Sequence, residues 1–323
     1  MKEVNSQGVE TATYKLAGLW IVSDLPLSLL TPCQDKVQPG HQIIVRRARV
    51  PDSLLHWKAK FFVAYGVGIS GQCNETEMLL NISGVARYLI RNGKEVLVDQ
   101  ASTATLSHVC AFLLGTVFGV LCHQRGMTPL HGSAIDVPGG CVVFVGDSGA
   151  GKSTLAAALS ARGHQVIADD LSCLQLVADG NVMCWPGVGR IRLWEDAAAA
   201  LGFIGTERES HGFNKYLVPV PQPESLFVSR RLQRIYHLNR VPFRRTATVS
   251  QVRGAAAIEL LMKNVYRLSL AEYMGRKPAL VAICAALAGQ IPIFQLSQSI
   301  GFDTLRENIK ILEDHWRRLA LII

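Results

Sequence analysis

The chain has 323 residues, of which 49% are hydrophobic and 18% are charged, and its formal net charge at pH 7 is +8. This length suits two domains and is ample for a buried core, and the apolar content excludes a globally disordered chain. Residues 1–15 are polar, so we expect no secretory signal. The longest apolar run, residues 109–122, is too short to cross a bilayer, and we expect it to form a buried helix. We therefore expect a cytoplasmic protein that does not bind a membrane.

Residues 1–105 are predicted to form a small, mostly β accessory domain. The pair Asn92-Gly93, which lies between two apolar stretches, is a strong signal for a β-hairpin. A helix over about 105–123 then leads into a catalytic domain, which we place at residues 106–323. The other predicted strands are short apolar stretches separated by turn residues, at 16–22, 42–45, 61–69, 78–82, 87–90 and 95–98.

Residues 141–161 have the order strand, glycine-rich loop, helix. The loop matches G-x-x-x-x-G-K-[ST], the phosphate-binding P-loop. In such a loop, backbone N–H groups and the N-terminus of the following helix hold phosphate oxygens. Lys152 would reach the β- and γ-phosphates, and the Ser153 hydroxyl would bind Mg²⁺. The predicted nucleotide-binding residues are Gly146, Asp147, Ser148, Gly149, Ala150, Gly151, Lys152, Ser153 and Thr154.

Two adjacent carboxylates, Asp169 and Asp170, follow the next short β-branched run. We expect this run to form a buried parallel strand beside the P-loop strand, and chemistry gathers at the carboxyl ends of such strands. One carboxylate can hold Mg²⁺ while the other accepts a proton from an attacking hydroxyl group. Alternatively, an aspartate here only caps the next element. A pair this close to a P-loop favours phosphoryl transfer.

The remaining chain offers two structural signals and one concentration of charge. Asp179-Gly180 predicts a hairpin, and apolar residues at steps of three and four over 302–319 predict an amphipathic helix packed on the core. Residues 221–280 contain eleven Lys or Arg and three Glu, an excess equal to the net charge of the whole chain. This stretch could attract an acidic peptide or hold a triphosphate, and a solvated basic face is at least as good an interpretation. No nucleic-acid-binding motif accompanies it, so we do not expect nucleic acid as a partner.

The stretch around the P-loop resembles the C-terminal catalytic domain of HPr kinase/phosphorylase. The similarity lies in His131-Gly132, the P-loop, Arg162-Gly163-His164 and Ala168-Asp169-Asp170, with 21 residues from His131 to Lys152 and 18 from Lys152 to Asp170. The resemblance implies an α/β P-loop kinase domain and an ATP-dependent protein serine kinase. It also implies that Asp170 is the base, that His131 lies at the active site and that Lys152 neutralises developing charge. Asp169 is then the predicted Mg²⁺ ligand beside Ser153.

The chain departs from this family at two places. The family usually carries Glu after the P-loop serine, where this chain has Thr154, and its Glu-x-Arg-Gly-Leu-Gly signature is replaced here by residues 185–194. The metal-binding Glu of that signature would fall near Val188, where no acid lies, and we do not assign the nearby Glu195 as a ligand. We therefore do not expect phosphorylase activity toward HPr.

Two segments resemble more closely the HPr-kinase-like tailoring kinases found beside lasso-peptide biosynthesis genes. They are residues 17–27 and the Pro-Gly and Arg-Leu-Trp parts of residues 185–194. This resemblance implies that the acceptor is a serine, typically C-terminal, of a precursor peptide. Arg190 and Arg192 could then clamp a carboxylate or a phosphorylated product.

Several alternatives remain open on the sequence. They are an HPr-type protein kinase, a kinase for a small hydroxyl-bearing metabolite, and a non-catalytic ATP-sensing module. The pair Asp169 and Asp170 argues against the sensor, because a sensor need not keep a base. A homo-oligomer is also open.

Overall fold

A computed structural model describes residues 3–4, 10–34, 36–64, 67–203, 207–208, 215–220, 228–241, 246–299 and 301–319. Its strands are, in chain order, β1 (Glu3–Val4), β2 (Glu10–Leu16), β3 (Leu19–Ser23), β4 (Gln42–Arg47), β5 (Ala59–Ala64), β6 (Gly68–Cys73), β7 (Glu77–Ile82), β8 (Ala86–Arg91), β9 (Glu95–Gln100), β10 (Thr128–Leu130), β11 (Gly132–Val137), β12 (Gly140–Val145), β13 (Val166–Ala168), β14 (Ser172–Leu176), β15 (Val182–Trp185), β16 (Arg190–Trp194), β17 (Glu207–Arg208), β18 (Lys215–Pro219), β19 (Arg230–Arg240), β20 (Thr248–Val252) and β21 (Ile293–Gln298).

The helices complete the mixed α/β fold. A π-helical segment, Leu113–Val117, joins the first two of them. In chain order they are α1 (Leu106–Phe112), α2 (Phe118–Gln124), α3 (Lys152–Ser160), α4 (Glu195–Ala200), α5 (Gly254–Lys263), α6 (Leu268–Tyr273), α7 (Lys277–Gln290) and α8 (Phe302–Arg318).

The chain packs into two compact units. Unit 1 combines Met1–Met127 with Arg267–Ala279, and unit 2 combines Thr128–Tyr266 with Leu280–Ile323. The helical stretch after residue 105 therefore packs with unit 1, whereas the sequence placed it at the start of the catalytic domain. The functional boundary at residue 105 stays a prediction.

Unit 1 is mostly β, as the sequence predicts. Among the described strands its sheet runs β1-β2-β3-β4-β9-β8-β7-β6-β5. Strands β5 to β9 form an antiparallel meander, while β4 is parallel to both β3 and β9. Asn92 and Gly93 both have positive φ in the β8–β9 turn, so the predicted hairpin is confirmed.

The first predicted strand of unit 1, residues 16–22, is wrong as a single element. Ala17 and Gly18 have φ of 50° and 74° and form the turn of a hairpin between β2 and β3. The turn interrupts an apolar run, because Leu16 and Leu19 on either side of it are buried and paired with each other.

The helix predicted over about 105–123 is confirmed, and it is longer than the apolar run at 109–122 that we expected to be too short to cross a bilayer. Leu106–Gln124 is helical over 19 residues with a mean hydropathy of 1.8, so among the described helices it has the length and composition to cross a membrane. In the structure 67% of it is buried, and Val109 accepts a hydrogen bond of 2.9 Å from the Tyr88 hydroxyl of β8. This burial is that of a core helix, as predicted.

The sheet of unit 2 brings parallel strand ends together. β19 is parallel to β12 along one edge and to β21 along the other. The described sheet runs β10-β14-β15-β19-β12-β11-β13, with β21 beside β19 and β20 beside β21. The carboxyl ends of β12, β19 and β21 therefore lie at the same edge, where ligands bind in open α/β sheets. The separate strands β16, β18 and β17 form a small antiparallel sheet.

The strand that carries the acid pair does not lie beside the P-loop strand, so that prediction is wrong. β11 and β12 form a hairpin, and β11 therefore occupies the position next to β12. β13 pairs with the far side of β11, antiparallel to it. Because two antiparallel steps restore the direction, β13 still points its carboxyl end the same way as β12.

Helices α3 and α8 cover the core of unit 2. Ile309, Leu312 and Trp316 of α8 are buried, which confirms the predicted amphipathic helix. Arg162, just after α3, donates two hydrogen bonds of 2.8 Å to the carboxylate of Glu313 on α8. The Asp179-Gly180 hairpin is also confirmed, between β14 and β15.

Candidate functional site

β12 leads directly into the P-loop, whose glycines adopt backbone angles that other residues rarely adopt. Gly146, Gly149 and Gly151 have φ of 145°, 81° and 95°. A Cβ on Gly146 would lie 2.8 Å from the carbonyl oxygen of Leu238 on β19, so no side chain fits there. Lys152 begins α3 immediately after the loop. The strand, loop and helix predicted from the sequence are therefore present in that order.

The Lys152 ammonium lies inside the loop. Its Nζ donates hydrogen bonds of 2.8 and 3.0 Å to the carbonyl oxygens of Gly146 and Asp147. Burial lowers the pKa of Lys152, and the nearby carboxylates of Asp170 and Asp169 oppose that shift. A cation is therefore held at the turn where the motif predicts phosphate binding.

Asp169 follows β13 and accepts three hydrogen bonds. Its Oδ1 accepts from the hydroxyls of Ser133 at 2.6 Å and Ser153 at 2.9 Å, and its Oδ2 accepts from the backbone N–H of Arg192 at 2.9 Å. Burial raises the pKa of this carboxyl group, and these hydrogen bonds act in the opposite direction. The acid and the P-loop serine predicted to bind Mg²⁺ are thus in direct contact.

The oxygens at this contact fit Mg²⁺. Carboxylate and hydroxyl oxygens are the hard ligands that Mg²⁺ prefers, and it is commonly held by one or two carboxylates together with substrate phosphates. Within the part of the chain that the structure describes, no three His, Cys, Asp or Glu side chains gather as a metal cluster. The available donors, Ser153 and Asp169, therefore suit a Mg²⁺ site whose other ligands are substrate phosphates, rather than a site built from protein ligands alone.

Asp170 is held in an uncommon backbone conformation, with φ of 68°. Its Oδ2 accepts a hydrogen bond of 3.0 Å from Nη1 of Arg192. His131 Nδ1 lies 3.0 Å from the Asp170 carbonyl oxygen and 3.4 Å from its Oδ1. Both the backbone and the carboxylate of Asp170 are therefore fixed by neighbours, which is how a strained residue persists in a fold.

His131 lies on the short segment between β10 and β11. Burial lowers the pKa of its imidazole, the Asp170 carboxylate raises it and the Lys152 ammonium lowers it further. A lowered pKa favours the neutral ring, and both Asp170 oxygens near Nδ1 are acceptors, so Nδ1 can donate to Asp170. The structure brings together His131, Lys152, Ser153, Asp169 and Asp170, although their roles stay predictions.

Three polar residues of the site were not found from the sequence. Ser133 lies two positions after His131 on an extended segment, and that alternation was an available signal. Gln298, at the end of β21, donates to the Ala150 carbonyl at 3.3 Å, and Asn264 accepts from the Gly146 N–H at 2.8 Å. Neither of these last two belongs to a motif, so only the folded chain shows them.

Other residues weighed from the sequence lie in different surroundings. The His164 ring packs edge-on against Trp316 at 5.5 Å, so it belongs to the packing of α8. Glu195 accepts from the Tyr216 hydroxyl at 3.4 Å.

The basic stretch 221–280 is divided between the two units. Glu224, Arg244 and Arg245 lie outside the described residues. Several of its other cations form ion pairs, namely Arg230 with Asp136, Lys263 with Glu259 and Lys277 with Glu272. The stretch does not by itself indicate a partner.

Comparisons with known proteins concern the segment just described. Residues 125–184 match the family model of the HPr Serine kinase C-terminal domain. Over 79 residues the chain is 39% identical to an HPr kinase/phosphorylase of Streptococcus thermophilus, a match that covers 24% of each chain. It is 42% identical to one of Latilactobacillus sakei, over 24% of this chain and 23% of the relative.

The two matches to HPr kinase/phosphorylases cover a limited part of each protein. The chain spans about a quarter of the length of the curated relatives it matches. The solved Hpr(Ser) kinase/phosphatase from Coxiella burnetii aligns with 59% of this chain and 98% of its own, at 13% identity and a TM-score of 0.30. His131, the P-loop and both aspartates all lie inside the segment that matches the family model.

Proposed function

We propose that the chain is an ATP-dependent kinase that phosphorylates a serine of a peptide, since residues 125–184 match the family model of the HPr Serine kinase C-terminal domain. One observation carries this proposal. The P-loop Ser153 is hydrogen-bonded to Asp169 at 2.9 Å, and a second carboxylate, Asp170, follows directly in the chain. Phosphoryl transfer needs a phosphate cradle, a metal position and a base side by side, and these residues provide all three.

The P-loop residues Gly146–Thr154 bind the triphosphate. The N-terminus of α3 adds its partial positive charge to the backbone N–H groups of the loop. The Lys152 ammonium, now bonded to the carbonyl oxygens of Gly146 and Asp147, exchanges those partners for phosphate oxygens. It then neutralises charge that develops during transfer.

Ser153 and Asp169 would hold Mg²⁺. When bound, the ion would neutralise phosphate charge and orient the phosphoryl group. Ser133 and the Arg192 backbone N–H fix the Asp169 carboxylate from two further directions. Such outer hydrogen bonds orient a metal ligand and tune its affinity.

Asp170 accepts the proton of the serine hydroxyl as that oxygen attacks the γ-phosphorus of ATP, and ADP leaves as the bond from the γ-phosphorus to its bridging oxygen breaks. A base must lie within hydrogen-bond reach of its proton, and the contacts of Asp170 with His131 and Arg192 set the position of its oxygens. His131, whose pKa is lowered by its partial burial, acts as a hydrogen-bond donor that orients Asp170.

The finer proposal is that the acceptor is the C-terminal serine of a lasso precursor peptide, as the resemblance of residues 17–27 and 185–194 implies. Arg192 provides a physical reason for a terminal carboxylate. A guanidinium has five N–H donors, so it can contact Asp170 and an acceptor carboxylate together, and its planar fork matches a carboxylate bidentately. The reacting serine would then be held next to its base.

Other acceptors and properties remain as proposals. HPr itself is the second candidate, because the curated relatives are named HPr kinase/phosphorylase. A small-metabolite kinase would use the same base without needing a peptide. A purely ATP-sensing module is disfavoured, because Asp170 is kept in a conformation with φ of 68° by two side chains. A cytoplasmic location and a homo-oligomer also stay predictions.

A panel of acceptors tests the proposal. The chain is incubated with Mg-ATP and, separately, a precursor peptide ending in serine, the same peptide with a C-terminal amide, the Ser→Ala peptide, HPr and a mixture of hydroxyl-bearing metabolites. We expect phosphorylation of the serine peptide, weaker labelling of the amide and none of the alanine form. Labelling of metabolites alone would replace the peptide-kinase proposal with the small-molecule alternative.

A further inference from the structure

Asn264 is a buried polar residue whose side chain contacts the P-loop although it lies far from it in sequence. It follows α5 directly and is 7% exposed. Its Oδ1 accepts a hydrogen bond of 2.8 Å from the N–H of Gly146, the first P-loop residue. Its Nδ2 donates at 2.8 Å to the Leu260 carbonyl oxygen on α5. One neighbour donates and the other accepts, so the orientation of this amide is determined.

The backbone of Asn264 contacts His131, which lies beside the predicted base. The carbonyl oxygen of Asn264 accepts at 2.8 Å from the N–H of His131. The next residues continue this pairing, since Val265 bridges to Leu130 and the Tyr266 N–H donates to Pro129 at 2.8 Å. His131 in turn contacts Asp170 through Nδ1.

A continuous path of hydrogen bonds therefore joins Gly146, Asn264, His131 and Asp170. We infer that Asn264 is a positioning residue, which sets the distance between the phosphate-binding loop and the predicted base. The inference rests on the proposed function. Transfer is sensitive to this distance, because a misplacement of about 1 Å can slow a reaction about 10²-fold.

A simpler role must be separated from this one. Asn264 caps α5, because its Nδ2 satisfies the Leu260 carbonyl near the end of that helix. A cap requires no bond to Gly146 and predicts only a loss of stability when removed. Asn308 is a matched control, since it is 5% exposed, lies in unit 2 and donates from Nδ2 to the Ser299 carbonyl at 3.4 Å.

The experiment compares Asn264→Ala and Asn308→Ala in the full chain. If Asn264 positions the site, Asn264→Ala lowers kcat roughly 10- to 100-fold and changes the pH profile of kcat, because His131 is displaced with it. Asn308→Ala changes thermal stability but not kcat. The conservative Asn264→Asp keeps an acceptor for the Gly146 N–H, so its kcat lies closer to wild type than that of Asn264→Ala. If Asn264→Ala does not fold, Asn264→Ser replaces it.

A second measurement does not depend on kinase activity. Hydrogen exchange of the peptides that contain Gly146 and His131 should become faster in Asn264→Ala and stay unchanged in Asn308→Ala. A wild-type chain that transfers no phosphate would defeat the proposed function, while the exchange data would still decide the positioning role. Unchanged exchange at Gly146, or a kcat and pH profile of Asn264→Ala equal to those of Asn308→Ala, would overturn the inference.

Discussion

Ser153 and Asp169 are 16 residues apart in the chain, and the Ser153 hydroxyl donates a hydrogen bond of 2.9 Å to Asp169 Oδ1. The contact forms at the sheet edge where the P-loop follows β12 and the acid pair follows β13. It joins the P-loop and the acid pair, two parts of the matched segment 125–184, at one point where a metal ion would meet the phosphates. The proposed kinase activity depends on this contact more than on any other.

Asp169→Asn should weaken Mg²⁺ binding. The amide keeps the size of the side chain but loses the negative charge at Oδ1 and Oδ2, so we expect the Mg²⁺ concentration for half-maximal activity to rise roughly 10- to 100-fold. Titration of Mg²⁺ at saturating ATP measures this. An unchanged Mg²⁺ requirement would remove Asp169 from the metal site.

Lys152→Ala should reduce ATP affinity and phosphoryl transfer together. The same ammonium meets the phosphates in the ground state and neutralises charge in the transition state, so kcat/KM for ATP should fall roughly 10²- to 10³-fold. Lys310→Ala, on the exposed side of α8, is the matched control and should behave as wild type. Steady-state kinetics with varied ATP test both, and equal turnover of the two variants would contradict a role for the P-loop.

Much of the site could be predicted from the sequence because its parts are local. The P-loop is a contiguous motif, and the acid pair stands at the end of a β-branched run, so both can be recognised without knowing their neighbours in the fold. The pairing of β13 could not be predicted, because the β11–β12 hairpin takes the place that a direct crossover would fill.

Residues that act across the sheet were also beyond prediction. Asn264 and Gln298 reach the P-loop from α5 and β21, and no spacing in the sequence links them to Gly146. On the sequence, Arg192 could clamp either a carboxylate or a phosphorylated product. In the structure its guanidinium contacts Asp170, a carboxylate of the chain itself.

Arg192→Lys should impair recognition of the acceptor more than that of ATP. A lysine keeps the charge but lacks the planar fork that binds a carboxylate bidentately, so the KM for a peptide ending in serine should rise while the KM for ATP stays close to wild type. For the amidated peptide, the KM values of wild type and Arg192→Lys should differ much less. If Arg192→Lys lowers phosphorylation of the two peptides by the same factor, Arg192 acts only through Asp170.

Acid should destabilise the fold through three partly buried histidines. Burial lowers the pKa of His131, His237 and His315 below their ordinary value of 6.5, so the unfolded chain binds protons first as the pH falls. The free energy of unfolding should therefore be steady above about pH 7 and decline below about pH 6.5. Urea unfolding at a series of pH values measures it, with His131→Gln as the comparison. If the free energy of unfolding of His131→Gln falls with pH as steeply as that of wild type, His131 does not contribute to this pH dependence.

The most direct measurement of the central claim is the intact mass of a serine-ended precursor peptide after incubation with Mg-ATP and either wild type or Asp170→Asn. Wild type should add the mass of one phosphoryl group, localised to the serine by fragmentation. Asp170→Asn should bind Mg-ATP normally but transfer about 10²- to 10⁴-fold more slowly, the usual contribution of a general base. A peptide that gains no phosphoryl group with wild type, or gains it equally fast with Asp170→Asn, would contradict the account.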